Sequence, residues 1–178
     1  ASSIPEHLLR NTAVNVAIKG EGDVTIVSLL NALRDKTPLE QVKGIYFLHD
    51  DRIVDTGYDA IMDIEQVGHP DWGLFDMDLY VRKAIQDVRE PYPLPLDQIR
   101  AFVVNTARGC PFRCSFCYHV FQYTKYRYRS PKSILEEISL LQQRYGINYI
   151  NFFDELTFFS KKQVADFVDL LLTSGMRF

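Results

Sequence analysis

The sequence predicts an α/β protein, with a parallel sheet or barrel in its second half preceded by a smaller strand–helix unit and a linker. Three observations carry this. After residue 99, apolar runs and amphipathic stretches follow one another as strand, loop, helix, strand, loop, helix, the order that yields parallel strands joined by right-handed crossovers. Each of those helices has its own punctuation: Ser130-Pro131 and Gly146 for the first, Ser160 and Gly175 for the second. The cysteines, Cys110, Cys114 and Cys117, all fall in the loop at the exit of the first strand, where α/β folds place their chemistry.

From the N-terminus, the apolar run 14–18 reads as a short strand, followed by a turn over 19–23 with two glycines. Asp23 or Thr25 is positioned to cap a helix running to about residue 34, with Val24, Val27, Leu30 and Leu33 on one face, and Asp35-Lys-Thr-Pro ends it. Gly20-x-Gly22 is short of a full dinucleotide-binding fingerprint, so a tight strand-to-helix turn is the better reading. The runs 44–48 and 53–54 flank His49-Asp-Asp-Arg, a β-hairpin with an acidic turn in which His49 is a solvated turn residue. Residues 56–98 carry prolines at 70, 91, 93 and 95 and read as an extended linker with one short helix over 78–88. Trp72, Phe75 and Tyr80 are expected to pack it onto a domain surface.

The second unit begins near Ile99. A strand over 101–105 leads to the cysteine loop. The helix after Ser130 carries Ile134, Leu135, Ile138, Leu140 and Leu141 on its apolar face. A β-rich run over 147–153 follows, with Asp154-Glu155 at its end. The helix after Ser160 turns Val164, Phe167, Val168, Leu171 and Leu172 inward. The chain begins at an alanine and stops after Met176-Arg-Phe where a further strand would start, which reads as a segment of a longer enzyme.

Composition excludes several classes. With 47% hydrophobic and 24% charged residues, the 178-residue chain is ordinary for a globular protein. Its net charge of −3 gives no electrostatic case for nucleic acid or anionic membranes, although the basic, aromatic stretch 123–131 could stack on bases. No signal peptide or membrane-length apolar run is visible, which predicts a cytoplasmic protein with reduced thiols.

The spacing C-x3-C-x2-C leaves one thiol over from any disulfide pairing. Three thiolates in one loop suit an iron–sulfur cluster or zinc, both of which select soft ligands. His119 makes a three-cysteine, one-histidine zinc set chemically available, though all four ligands would crowd one loop. A cluster usually takes four protein ligands, so another residue type or an exogenous ligand would complete it. Asp154-Glu155 either caps the next helix or, flanked by Phe152, Phe153, Phe158 and Phe159, binds a cation.

Cys110, Cys114, Phe116 and Cys117 form the pattern C-x3-C-x-aromatic-C, which resembles the signature of the radical S-adenosylmethionine (SAM) enzymes. The resemblance implies that the cysteines hold a [4Fe–4S] cluster, that SAM occupies the open iron, and that its reductive cleavage gives a 5′-deoxyadenosyl radical. It implies that Phe116 and Tyr118 line the adenine pocket and that Glu155, with Asp154, holds the SAM amino group. Phe153-Asp154-Glu155 stands where the family carries Gly-Gly-Glu, both glycines being replaced. The pattern Phe152-x-Asp154-Glu155-x-x-Phe158, the run Tyr126-Arg-Tyr-Arg-Ser-Pro and the turn Gly20-Glu-Gly-Asp23 look like the branch that carries an N-terminal cobalamin-binding, flavodoxin-like domain. Arg127 or Arg129 would then lie near the SAM carboxylate or the substrate, a solvated basic loop being the alternative.

On that resemblance, residues 1–55 are the C-terminal tail of a flavodoxin-like (Rossmann-type) domain with its hairpin, 56–98 a linker, and 99–178 the first β/α units of a partial TIM-type radical SAM barrel. Cobalamin is implied for the longer parent, because no D-x-H-x-x-G loop occurs in this sequence. The implied partners are a small-molecule substrate and a reductant such as flavodoxin or ferredoxin, with no nucleic acid and no membrane. The implied reaction is methylation, cyclisation or rearrangement at an unactivated carbon. The rival reading is a non-catalytic zinc or iron–sulfur module for structure or electron transfer.

Overall fold

A computed structural model describes residues 3–117 and 125–176. The described chain divides into two compact units, one containing the residues up to Asp63 and the stretch from Phe112, the other Ile64–Pro111 and the residues from Lys125.

In the first unit a helix α1 (Pro5–Asn11) precedes strand β1 (Val16–Ile18), helix α2 (Asp23–Asp35) and the strands β2 (Ile45–His49) and β3 (Arg52–Asp55). The hairpin forms as expected, with His49 opposite Arg52. Its turn residues Asp50 and Asp51 have φ of 48° and 61°, the pair of positive angles that lets a two-residue turn follow the right-handed twist of its strands. β1 joins β2 antiparallel, so the sheet order is β1-β2-β3. The unit is therefore a small antiparallel sheet with two helices, and no parallel flavodoxin-like sheet is formed among its described residues.

The expected inward face of α2 is corrected. Thr25, Leu29 and Ala32 are buried, whereas Val27, Leu30 and Leu33 are more than half exposed. Leu29 and Ala32 pack with Val42, Ile45 and Phe47, and three short strands cover only a narrow stripe of the helix. Small residues at 25 and 32 permit the close approach. Thr25 is fully buried and donates to Asp59 Oδ2 at 3.1 Å, and a Cβ on Gly44, itself at φ +80°, would stand 2.5 Å from the Thr25 hydroxyl. Gly44→Ala is accordingly expected to cost ~1–2 kcal/mol from the left-handed backbone alone, with the clash added. A thermal melt unchanged by that substitution would refute this account.

The second unit is a β-α-β arrangement. Strands β4 (Ala101–Val104) and β7 (Tyr149–Phe152) pair in parallel, Ala101 opposite Tyr149 and Val104 opposite Phe152. Between them lie the two-residue strands β5 (Ala107–Arg108) and β6 (Arg127–Tyr128) and helix α4 (Pro131–Tyr145); helix α5 (Lys161–Ser174) follows β7. The expected caps are present. Ser130 Oγ accepts from Ser133 N at 3.2 Å, Ser160 and Gln163 form a reciprocal capping box, and Gly146 and Gly175 close their helices at φ 67° and 70°.

Ile134, Leu135, Ile138 and Leu141 of α4 enter the core with Phe102, Val104 and Ile147, but Leu140 is 38% exposed. Of the residues expected inward on α5, Phe167 is buried and Leu171 half-buried, while Val164, Val168 and Leu172 are exposed. Two strands are too narrow to cover the whole apolar stripe. From Ile64 onward the expected linker belongs to this unit. A helix α3 (Met77–Ala84), capped by the Asp76 side chain, buries Met77 and Val81 in the same core, and Trp72 packs edge-on against Phe102 at 5.1 Å. Phe75 and Tyr80 meet each other and remain about half exposed. The short helix expected over 78–88 thus forms over Met77–Ala84, and the i, i+4 pair Met77 and Val81 is the signal that it faces a core.

Candidate functional site

The parallel pairing brings the C-terminal ends of β4 and β7 side by side, and the chemistry-bearing residues of this unit begin there. Beyond Val104 the chain runs through Asn105 and Thr106 into β5, and Arg129 N donates to Thr106 O at 2.8 Å. β5 and β6 pair antiparallel, Ala107 opposite Tyr128 and Arg108 opposite Arg127, so the segment 109–126 leaves and returns through one short ladder. Gly109, at φ 79°, turns the backbone immediately before Cys110 in a conformation that side-chain-bearing residues rarely adopt.

The three cysteines are free, Cys110 half-buried and Cys114 and Cys117 exposed. Cys117 N donates to Cys114 O at 3.1 Å, closing a tight turn over Ser115 and Phe116, the latter 90% exposed. Among the described residues, no group of three or more His, Cys, Asp or Glu side chains is gathered as for a metal ion. Tyr118 and His119, expected respectively in an adenine pocket and as a possible zinc ligand, lie outside the described residues.

Asp154 turns its carboxylate to the end of β4. Its Oδ1 accepts from Thr106 N at 3.0 Å, Asn105 Nδ2 at 3.1 Å and Ala107 N at 3.3 Å. Its Oδ2 accepts from Thr106 Oγ1 at 2.7 Å and Thr106 N at 3.1 Å. The carboxylate is thus committed to the end of β4, and Thr106, fully buried, is its main partner. Asn105 Nδ2 also donates to Phe153 O at 2.7 Å. Glu155 is exposed, and its carboxylate makes no hydrogen bond or ion pair among the described residues. The aromatic setting expected around the two acids is corrected as well. Phe152 and Phe158 turn into the core against Phe167 and Tyr128, while Phe153 and Phe159 are 70% and 53% exposed.

Arg129 is neither solvated nor free to meet a ligand. Its Nη1 pairs with Glu137 Oε2 at 2.6 Å and donates to Asn105 O at 2.8 Å, and its Nη2 donates to Ser133 O at 3.1 Å. The side chains of Arg129 and Glu137 are 11% and 3% exposed, so this is a buried pair tying the end of β4 to α4. Arg127 is half-buried in β6. Sequence reasoning missed Thr106, Asn105 and Glu137. Glu137 had a signal: it stands three residues after Ile134 and four before Leu141, a carboxylate on an apolar helix face that requires a cation.

Tyr126 and Tyr128 return the loop to α4. Tyr126 OH donates to Thr157 O at 3.0 Å, and burial raises its pKa above the ordinary phenol value. Burial pushes the Tyr128 phenol up to about 12, with smaller contributions from Tyr126 and then from Asp166 and Asp154. The unfolded phenol ionises near ~10, so the folded state holds its proton more tightly, and Tyr128 stabilises the fold below that pH. This contribution is expected to fall as pH rises from about 10 toward about 12. An ultraviolet titration showing every tyrosine ionising near the ordinary value without loss of structure would contradict it.

The fold and site define a class: an α/β domain with parallel strands whose three-thiol loop departs from the C-terminal end of the first strand. Residues 104–175 match the model of the radical SAM superfamily. It is 32% identical over 167 residues to the anaerobic magnesium-protoporphyrin IX monomethyl ester cyclase of Cereibacter sphaeroides, covering 92% of this chain and 25% of that protein. It is 30% identical to an uncharacterized methyltransferase of Pyrococcus horikoshii, covering 91% of this chain and 33% of the relative. The chain thus spans a quarter to a third of these relatives. Among solved structures, that of the cobalamin-dependent S-adenosylmethionine radical enzyme OxsB aligns with a TM-score of 0.70 at 19% identity, over 98% of this chain and 23% of that one.

Proposed function

We propose that Cys110, Cys114 and Cys117 hold a [4Fe–4S] cluster with one iron left for SAM, and that the protein acts in radical chemistry on an unactivated carbon of a small molecule. The observation that carries this reading is the set of free thiols in C-x3-C-x-Phe-C spacing, on a loop that starts at the C-terminal end of the first strand of a parallel β-α-β unit. The donor chemistry fits the group: soft thiolates, one fewer than a cluster's usual four protein ligands. When bound, the cluster and SAM supply one-electron reductive cleavage to a 5′-deoxyadenosyl radical. The protein's share is to bind, orient and exclude water.

Glu155, exposed and without an internal partner among the described residues, is available for the SAM amino group in a way that Asp154 is not. Phe116 and Tyr118 are assigned to the adenine side. The names of the relatives, a cyclase and a methyltransferase, favour ring closure or methyl transfer as the reaction class. The cobalamin dependence in the name of OxsB favours cobalamin in the complete enzyme, with residues 1–55 read as the tail of a flavodoxin-like domain, 56–98 as the connection and 99–178 as barrel. A flavodoxin or ferredoxin is the proposed reductant, and the cytoplasm the proposed location. Among the described residues, no helix is long and apolar enough to cross a membrane.

The test is anaerobic reconstitution with iron and sulfide, reduction, and electron paramagnetic resonance with and without SAM. A [4Fe–4S]⁺ signal that changes on adding SAM supports the reading. A cluster indifferent to SAM points to an electron-transfer module, and stoichiometric zinc without iron points to a structural site; either result overturns it.

A further inference from the structure

We infer that Asp154 is a positioning residue: from the end of β7 it fixes the backbone from which the cysteine loop departs, and it acts through Thr106 and Ala107 rather than on a ligand. The inference goes beyond the proposed function, and only its second arm rests on the cysteines holding a cluster.

The geometry is one-sided. Thr106 N, Thr106 Oγ1, Ala107 N and Asn105 Nδ2 all donate to the one carboxylate. Each is a protein donor at the junction of β4 and β5, three residues or more before Cys110. Hydrogen bonds to an ionised acceptor are about twice as strong as neutral ones, and a carboxylate with two oxygens satisfies several donors at once. A junction without side-chain acceptors would leave the Thr106 amide and hydroxyl buried and wanting a partner, since Thr106 is fully buried and its hydroxyl otherwise reaches only Thr157 O at 3.3 Å. The ladder of β5 and β6 is only two residues long, too short to define its own register, so an anchor on one side of it has large leverage. Asp154 supplies that anchor, and Phe153 N, donating to Val104 O at 3.3 Å, holds the adjacent backbone in line. The adjacent acid Glu155 then emerges from the same fixed strand end, so one carboxylate sets the loop and the next stays available.

The test uses the full chain and the variants Asp154→Asn, Thr106→Val and Glu155→Gln. Amide hydrogen exchange is followed in the metal-free protein over residues 105–108, beside a thermal melt, and iron incorporation and the resonance signal are read after reconstitution. Asp154→Asn replaces one acceptor oxygen by a donor facing donors. It is expected to speed exchange at Thr106 and Ala107 by ~10-fold to ~100-fold, the factor for losing a hydrogen bond to a charged acceptor. Thr106→Val removes one donor and is expected to act in the same direction at Ala107, by less. Glu155→Gln is expected to leave this exchange as it is. In the second arm, Asp154→Asn lowers cluster yield, whereas Glu155→Gln assembles the cluster and weakens only its response to SAM.

Unchanged exchange in Asp154→Asn, or normal cluster yield with loss of the SAM response, would overturn the inference and make Asp154 a ligand-binding residue. If Asp154→Asn does not fold, Thr106→Val decides: faster exchange at Ala107 supports the anchor and unchanged exchange overturns it. Failure of the wild-type chain to bind iron would sink the proposed function but not the first arm.

Discussion

Cys114→Ala is expected to abolish assembly of the proposed iron–sulfur cluster. The chain has three cysteines and no fourth to substitute for a lost one. A cluster held by three thiolates already has one iron without a protein ligand, and removing the middle thiolate leaves two exposed irons open to solvent and oxygen. Cys114 is also the acceptor end of the turn closed by Cys117 N, but that bond uses its backbone carbonyl, which alanine keeps. The substitution therefore removes the ligand and spares the loop conformation. The expected result is iron and sulfide near background after reconstitution, with the thermal melt of the metal-free chain unchanged. Full iron incorporation would sink the assignment of the cysteines, whereas a collapsed melt would show that Cys114 matters to folding in a way its exposure does not suggest.

Glu137→Ala is expected to destabilise the second unit by ~3–5 kcal/mol, because it leaves the Arg129 guanidinium buried without its counter-charge. That is a large share of the stability of an ordinary domain. Arg129 would retain hydrogen bonds to Asn105 O and Ser133 O, and water could reach its 11% exposed side chain, so the lower end of the range is the safer expectation. Denaturant unfolding of the variant measures it. The double variant Arg129→Met with Glu137→Leu is expected to recover most of the loss, since a buried pair is often replaceable by apolar residues of similar size. A loss below about 1 kcal/mol in Glu137→Ala would instead place the pair in the range of solvent-exposed ion pairs.

Much of the fold was legible because its signals are local. Ser130-Pro131, Gly146, Ser160 and Gly175 mark helix ends through hydrogen bonds within a few residues, and all four act as read. The turn at Asp50-Asp51 is local in the same way. What misled was the choice of face. α2 and α5 carry apolar residues over more of their circumference than any neighbour covers, so periodicity could not tell Leu29 from Leu30 or Phe167 from Val168. Residues 64–84 read as linker through their prolines and acids; the expected short helix and the packing of Trp72 are present, but Met77 and Val81 also finish inside the core.

The candidate site divides along the same line. The thiol loop could be read from the residues alone, because their identity and spacing are covalent facts, and the β-loop-α order put that loop and the two acids at strand ends. The partners of the polar residues around them depend on packing between distant parts of the chain. Asp154 is 48 residues from Thr106 and Arg129 is 24 from Asn105, so which donors meet which acceptors depends on the parallel pairing of β4 with β7 and on α4 closing behind them. A carboxylate beside a strand end looks the same in sequence whether it faces a ligand or a backbone amide. Packing turned Asp154 onto the Thr106 and Ala107 amides, made Arg129 half of a buried pair, and left Glu155 exposed, because burial obliges a polar group to find its partner within the protein and exposure does not.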